Sequence, residues 1–218
     1  MRVMLLEGTK RFPLAGAATR WLLVGGIGLG LLATAPPARA QDAIELDTVE
    51  ARPSGVARVP VRVRLAPATS AGADGSGPVQ AISFRVRFDP ASAVVSATVH
   101  RTGVLANLKP LFESIPRSQD AIGYLASFDE RTDRIAFRSG ITGEPDLVAE
   151  LELRLAPGLP DGSIVRLELE PGTSMLSNRA GTAVRSAPSG TLRLSGSTVV
   201  VVQRARDPRQ ESAAVKEK

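Results

Sequence analysis

Residues 79–90 read VQAISFRVRFDP, with Ile82, Phe84, Val86 and Phe88 separated by Ser83, Arg85 and Arg87. Large apolar residues at every second position fit an extended strand with one buried face, because a helix would scatter them around its circumference. Asp89-Pro90 ends the strand, since proline brings no N–H to a ladder and Asp-Pro favours a turn. The same period recurs downstream and upstream. Val59, Val61, Val63 and Leu65 face one way against Arg62 and Arg64, and Leu147, Ala149, Leu151, Leu153 and Leu155 alternate with Glu150, Glu152 and Arg154. No long stripe of period 3.6 is present, so the chain reads as all-β.

The remaining strands are shorter. Ile44 and Leu46 mark the first, reaching toward Val49, and Pro53-Ser54-Gly55 turns the chain into the second. Residues 66–78 (APATSAGADGSGP) form a Gly/Pro/Ser/Ala-rich loop with nothing to bury, and residues 94–99 follow the opening strand as another. Residues 103–120 read as an irregular crossover with a short strand or a turn of helix, because Pro110 and Pro116 exclude a long one. A hairpin is expected next, with arms 123–128 and 134–138 joined by the polar stretch 129–133. Further strands fall at 164–169, 175–176, 182–184, 191–194 and 197–202, where the run Val199 to Val202 is either a central strand buried on both faces or an exposed, sticky edge. About nine strands in this length suit a two-sheet jelly-roll sandwich over residues 41–202.

Both ends read differently from this body. Arg2, Lys10, Arg11 and Arg20 precede an apolar run, Trp21 to Ala35, that closes on the small-residue pattern Ala38-Arg39-Ala40, which is the layout of a secretory signal peptide cut before Gln41. Four glycines interrupt the run, and it is shorter than the roughly 20 residues that span a bilayer. Residues 203–218 are polar and read as a disordered tail. Residues 1–40 hold five of the 27 Lys/Arg and one of the 22 Asp/Glu, so removing them lowers the net charge from +5 to about +1. A near-neutral mixture without basic blocks argues against nucleic acid as a partner. With no cysteine, the exported chain has neither a disulfide framework nor a lipid acceptor at the cleavage site.

Catalytic chemistry finds little to build on. His100 is the only histidine, sits at a strand end beside Arg101 and has no nucleophile motif near it, so a surface role fits better than a triad. Zinc needs several His or Cys ligands, which this chain lacks. Asp129, Glu130 and Asp133 are the densest acidic group, at a hairpin tip where solvated acids are ordinary and a weak calcium site is the alternative. Asp120, Glu144 and Asp146 read as turn formers. The single tryptophan lies in the leader, leaving Tyr124 and the phenylalanines of the strands, which the core claims before any sugar-stacking platform. Arg62, Arg64, Arg85, Arg87, Arg134 and Arg138 stand at outward strand positions, where they either grip acidic groups of a partner or pair with neighbours such as Glu150, Glu152, Glu168 and Glu170.

Taken in order, these segments resemble cohesin domains. The likeness lies in the opening VEARPSGVARVPVRV, the long strand ending FDP, the small-apolar AVVSATV, then FDERTDRIAF, LVAELELRLAP and a late LSNRAGTAV before the closing strands. It spans about residues 44–202. The resemblance implies a nine-stranded jelly-roll sandwich, an architecture shared with carbohydrate-binding modules, and a non-catalytic role. It implies one sheet face that binds the calcium-loaded helices of a dockerin, with polar residues, often Asn and Asp, on the strand before the Asp-Pro turn. Here those outward positions hold Ala81 and Ser83, followed by Arg85 and Arg87, and these four are the candidate partner-binding residues. No dockerin-like calcium repeat occurs in the chain itself.

The expected protein is therefore an exported binding module, secreted, periplasmic or held at the cell surface, without catalytic residues, cofactor or metal. Its expected partner is a dockerin-like protein, in an assembly linked to polysaccharide breakdown. The alternative is a carbohydrate-binding module that takes an extracellular polysaccharide directly.

Overall fold

The computed structural model describes residues 41–70, 78–178 and 180–202. The expected signal peptide (1–40) and tail (203–218) lie outside the described residues. The alternating segments become strands with the faces that their sequence dictates, except that Leu147, expected in the core, is half-buried and Val148 is buried in its stead, where the register shifts opposite Val61 and Arg62. In β4 (Ala81–Asp89) Ile82, Phe84, Val86 and Phe88 are buried, and in β8 (Asp146–Leu155) Val148, Leu151, Leu153 and Leu155 are. The other long strands are β3 (Val56–Arg64), β5 (Val94–Arg101), β7 (Ala121–Phe128) and β9 (Ile164–Leu169). The shorter ones are β1 (Asp42–Leu46), β2 (Val49–Ala51), β6 (Pro110–Ser114), β10 (Met175–Ser177), β11 (Val184–Ser186), β12 (Leu192–Ser195) and β13 (Ser197–Val201). The count of thirteen among the described residues exceeds the expected nine because three-residue pieces such as β2, β10 and β11 pair as separate strands.

Five strands form one sheet in the order β12-β1-β3-β8-β5, and eight form the other around β4. One edge of β4 carries β7, with β6 beyond it; the other carries β10 near Ala81–Ser83 and β9 near Val86–Asp89. Outside β10 lies β11, and outside β9 lie β13 and then β2. The two chain ends switch sheets side by side, because β1 pairs β12 and β2 pairs β13, both in parallel. Gly196 stands at that switch, where a Cβ would meet the Leu167 carbonyl oxygen at 2.5 Å, so only glycine lets the backbones approach.

Between the sheets one apolar layer is sealed from solvent. Val59, Val61, Val63, Leu151 and Leu153 meet Ile82, Phe84, Val86, Tyr124, Phe128, Leu167 and Val199. Phe84 and Tyr124 face each other across β4 and β7 with ring centroids 5.4 Å apart. Side chains of this size, fully buried, each contribute about 1.5–3 kcal/mol by leaving water.

Three further expectations change. Residues 134–138 do not form the second arm of a hairpin, because both edges of β7 are already filled by β4 and β6. Residues 134–137 run without a ladder partner, with Ile135 buried and Arg134 and Ala136 exposed, and Arg138, also exposed, already has helical dihedrals at the start of the turn Ser139–Thr142. The 66–78 stretch is not wholly without buried groups: Pro67–Ser70 makes one helical turn, α1, and Thr69 is buried. Val199 and Val201 belong to a strand flanked on both edges, by β9 and β2, with Val200 facing outward, so 197–201 is neither an edge nor buried on both faces.

Asp42 explains the buried Thr69. Its carboxylate, only 3% exposed, accepts hydrogen bonds from the Ala66 amide at 2.7 Å and the Thr69 hydroxyl at 3.1 Å. It also pairs with the Arg185 guanidinium at 2.7 Å. Because β1 and β11 lie in different sheets, this ion pair ties the sheets together. A charge buried this deeply persists only when its partner is present. Asp42→Ala should therefore lower stability by about 3–5 kcal/mol, read as a fall in the urea midpoint, because the buried Arg185 charge loses this carboxylate. A midpoint within the error of the parent would show that the pair is not a structural tie.

Candidate partner-binding face

The two outward faces of the sandwich differ in chemistry. On the five-stranded sheet, outward residues of β3, β8 and β5 with their neighbours form a lattice of ion pairs. Arg62 meets Asp47 at 2.8 Å, Arg64 meets Glu45 at 3.2 Å, and Arg58 lies 3.8 Å from Glu150 and 3.7 Å from Glu152. His100 adds itself 3.9 Å from Glu152, on the exposed surface as its sequence context suggests. A surface whose charges satisfy one another is well solvated, and each exposed pair adds little stability.

The eight-stranded sheet presents a different surface. Cross-strand register sets Phe112 against Ser127, Ser127 against Ala81 and Ala81 against Ser177. The next row sets Ser114 against Leu125, Leu125 against Ser83 and Ser83 against Met175. Small residues in the middle leave the surface flat, while Phe112 at 53% and Leu125 at 39% exposed stand out as apolar anchors. Pro116 packs over Gly123 in the same face, where a Cβ would meet its Cγ at 2.8 Å. A flat neutral centre with apolar anchors is the make-up of a protein-docking patch.

At one end of this patch the candidate arginines are held by the chain itself. The Arg85 guanidinium donates to Ser118 Oγ at 2.9 Å and lies 3.4 Å from Glu170. Arg87 lies 3.7 Å from both Asp120 and Glu170. Of the acids the sequence offered as neighbours, Glu170 takes the pair, and Asp120, read as a turn former, joins it. Ser83 Oγ donates to the Thr173 carbonyl at 2.6 Å, which leaves its lone pairs directed at any incoming donor. All four sequence candidates, Ala81, Ser83, Arg85 and Arg87, thus share one strand and one face. Sequence reading missed Phe112, Leu125 and Met175, because their membership of this face depends on pairing partners remote in sequence.

Asp146, also read as a turn former, accepts hydrogen bonds from the Arg138 and Ser139 amides at the start of α2 (Ser139–Thr142). Among the described residues no group of three or more His, Cys, Asp or Glu side chains is placed to hold a metal ion. Asp133 instead accepts from the Lys109 amide and the Thr132 hydroxyl, which hold its carboxyl below the ordinary value. Tyr124 donates to Glu113 at 3.1 Å, and Glu113 meets Arg101 at 2.9 Å. Burial first, then the Glu113 carboxylate, push the Tyr124 phenol above its usual range. Since Arg101 is on β5 and Glu113 on β6, this group ties the sheets at a second place. Among the described aromatic residues Phe84, Phe88, Tyr124 and Phe128 are buried, as expected of core residues, whereas Phe112 is exposed.

The architecture is that of cohesin structures. The described fold is similar to the third cohesin of ScaC from Acetivibrio cellulolyticus, solved with the ScaB dockerin, at 13% identity and a TM-score of 0.57, covering 74% of this chain and 99% of that one. It is similar to the OlpA cohesin of Clostridium thermocellum, also solved with a dockerin, at 13% identity and a TM-score of 0.54 over 75% and 100% of the two chains. A non-cellulosomal cohesin from the archaeon Archaeoglobus fulgidus matches at 15% identity and a TM-score of 0.50, over 81% and 98%. At this identity the likeness establishes a cohesin-like fold. No family model and no curated protein matches the sequence.

The arginine cluster makes a prediction about acidity. Hydrogen bonding from Ser118 first, then a backbone bond and the charges of Arg87 and Arg85, lower the Asp120 carboxyl below its ordinary 3.8. A lowered acid is ionised above that value and loses its pairing only as pH falls through its own depressed one. Carboxyl-detected NMR should therefore find Asp120 titrating below 3.8, and Ser118→Ala should move it upward. A midpoint at or above 3.8 in the parent protein would contradict the cluster geometry.

Proposed function

We propose that this protein is an exported, non-catalytic binding module that docks a helical, dockerin-like module on the outward face of β6, β7, β4 and β10. The observation that carries this reading is the contrast between the two sheet faces. One is closed by ion pairs such as Arg62–Asp47 and Arg58–Glu150. The other is flat and neutral around Ala81, Ser83 and Ser127, with Phe112, Leu125 and Met175 available to a partner's apolar stripe. The cohesins solved with dockerins lend the partner class, and the leader read at residues 1–40 lends the export.

The rows of this face run through small residues, so a helix can lie close to the backbone without displacing long side chains. Affinity then comes from a few buried anchors with a polar rim, not from area alone. Ser83 contributes a hydroxyl at the centre of the face. Arg85 and Arg87 form the rim, already neutralised by Glu170 and Asp120. Such a rim steers partners weakly, and the interaction should depend little on salt.

Calorimetry against the calcium-loaded dockerin-type modules of the same organism tests this. One of them should bind with one-to-one stoichiometry, and Leu125→Asp should weaken it by about 100-fold or more while the melting temperature stays close to the parent. Arg85→Ser with Arg87→Ser should change affinity by less than about tenfold. Absence of binding by every module, or an indifferent Leu125→Asp, would remove the proposal.

A further inference from the structure

Residues 134–137 combine a strand's sequence pattern with no strand partner. Arg134, Ala136 and Arg138 point outward and Ile135 and Phe137 inward, the alternation of an extended chain lying on a core. Yet among the described residues no backbone hydrogen bond is made by Arg134, Ile135, Ala136 or Phe137, whereas Arg138 is engaged through its amide to Asp146 and its carbonyl to Ile141 and Thr142. Backbone donors and acceptors are nearly always paired in folded proteins, so four consecutive residues without a partner mark an open ladder. The segment cannot pair with β7, whose two edges hold β4 and β6.

Open space flanks it on both sides. One cleft of about 450 Å³ is lined by Gly103, Val104, Leu108, Arg134, Ala136 and Arg138, with Asp146 and Leu147 at its side. A second, of about 290 Å³, is lined by Leu65, Thr69, Pro78 and Val79 together with residues 134–137. The first cleft is the one that offers charge. Neither Arg134 nor Arg138 has a carboxylate within ion-pair distance among the described residues, in contrast to Arg58, Arg62, Arg64, Arg85 and Arg87. Asp146 is the acid in this cleft, and its Oδ2 is occupied by the amides of Arg138 and Ser139. Two guanidinium groups against one engaged carboxylate leave the cleft positive.

We infer that residues 134–137 are an acceptor strand, flanked by Arg134 and Arg138 and completed by an extended acidic peptide of another protein that enters the larger cleft and pairs with the backbone of 134–137. Arg134 and Arg138 lie four residues apart on one side of an extended chain, roughly 13 Å at about 3.3 Å per residue. Acidic side chains four residues apart on the incoming strand match that spacing, and guanidinium–carboxylate contacts fix its register. Main-chain pairing supplies affinity, as in other cases of strand addition. None of these residues belongs to the face of β6, β7, β4 and β10, so this site stands or falls separately from the docking of a dockerin-like module.

The probe is an N-acetylated, C-amidated peptide, Glu-Val-Thr-Val-Glu, titrated into the full chain by fluorescence anisotropy and amide hydrogen exchange. Saturable binding is expected, with slowed exchange at amides within 134–137. Arg134→Gln with Arg138→Gln should weaken it by at least about tenfold and reduce its salt dependence, while lysine at both positions retains most of it. A peptide N-methylated at alternate residues, with its charge intact, should bind at least about tenfold more weakly. No binding at millimolar peptide, equal binding of the N-methylated form, or binding that protects no amide within 134–137 would each overturn the inference.

Discussion

Everything on the candidate face follows from the position of β4 between hydrogen-bonded neighbours on both edges. β7 runs along the whole of one edge, while β10 and β9 divide the other between them. A strand so held cannot slip by one residue without turning Ile82, Phe84, Val86 and Phe88 to solvent. The outward set is then fixed as well: Ala81 and Ser83 in the flat region, Arg85 and Arg87 in the charged rim. The core specifies the face by excluding a one-residue slip.

Buried and half-buried charge then closes what hydrophobic packing leaves open. Asp42 and Arg185 join β1 to β11, and Arg101, Glu113 and Tyr124 join β5 to β6. Each connects strands of different sheets, where no ladder hydrogen bond can reach. A sandwich without disulfides has few other means of fixing one sheet over the other, and paired charges do so with directional specificity.

The strands with strict alternation were legible in the sequence because burial of one face is a local pattern. β9 has the boundaries that its apolar spacing gives, and β4 and β8 differ from theirs by only a residue or two. The segment 134–138 shows where that reasoning stops: its residues alternate as a strand's do, but pairing needs a free neighbouring edge, and β7 has none. Asp42 was illegible for the opposite reason, since a charged residue at a strand start looks solvated until a remote arginine is found beside it. The candidate site was legible along β4 and hidden across it. Phe112, Leu125 and Met175 enter the face only through register with strands that lie up to about ninety residues away in the chain.

The central claim is that partner binding uses the neutral face and leaves the ion-paired face in solvent. Methyl NMR of the protein titrated with its bound module measures this directly, because Leu125 and Met175 report on the first face and Val56, 42% exposed opposite Arg154, on the second. Shifts at Leu125 and Met175 with Val56 unchanged are the predicted result. Shifts at Val56 with Leu125 and Met175 unmoved would contradict it.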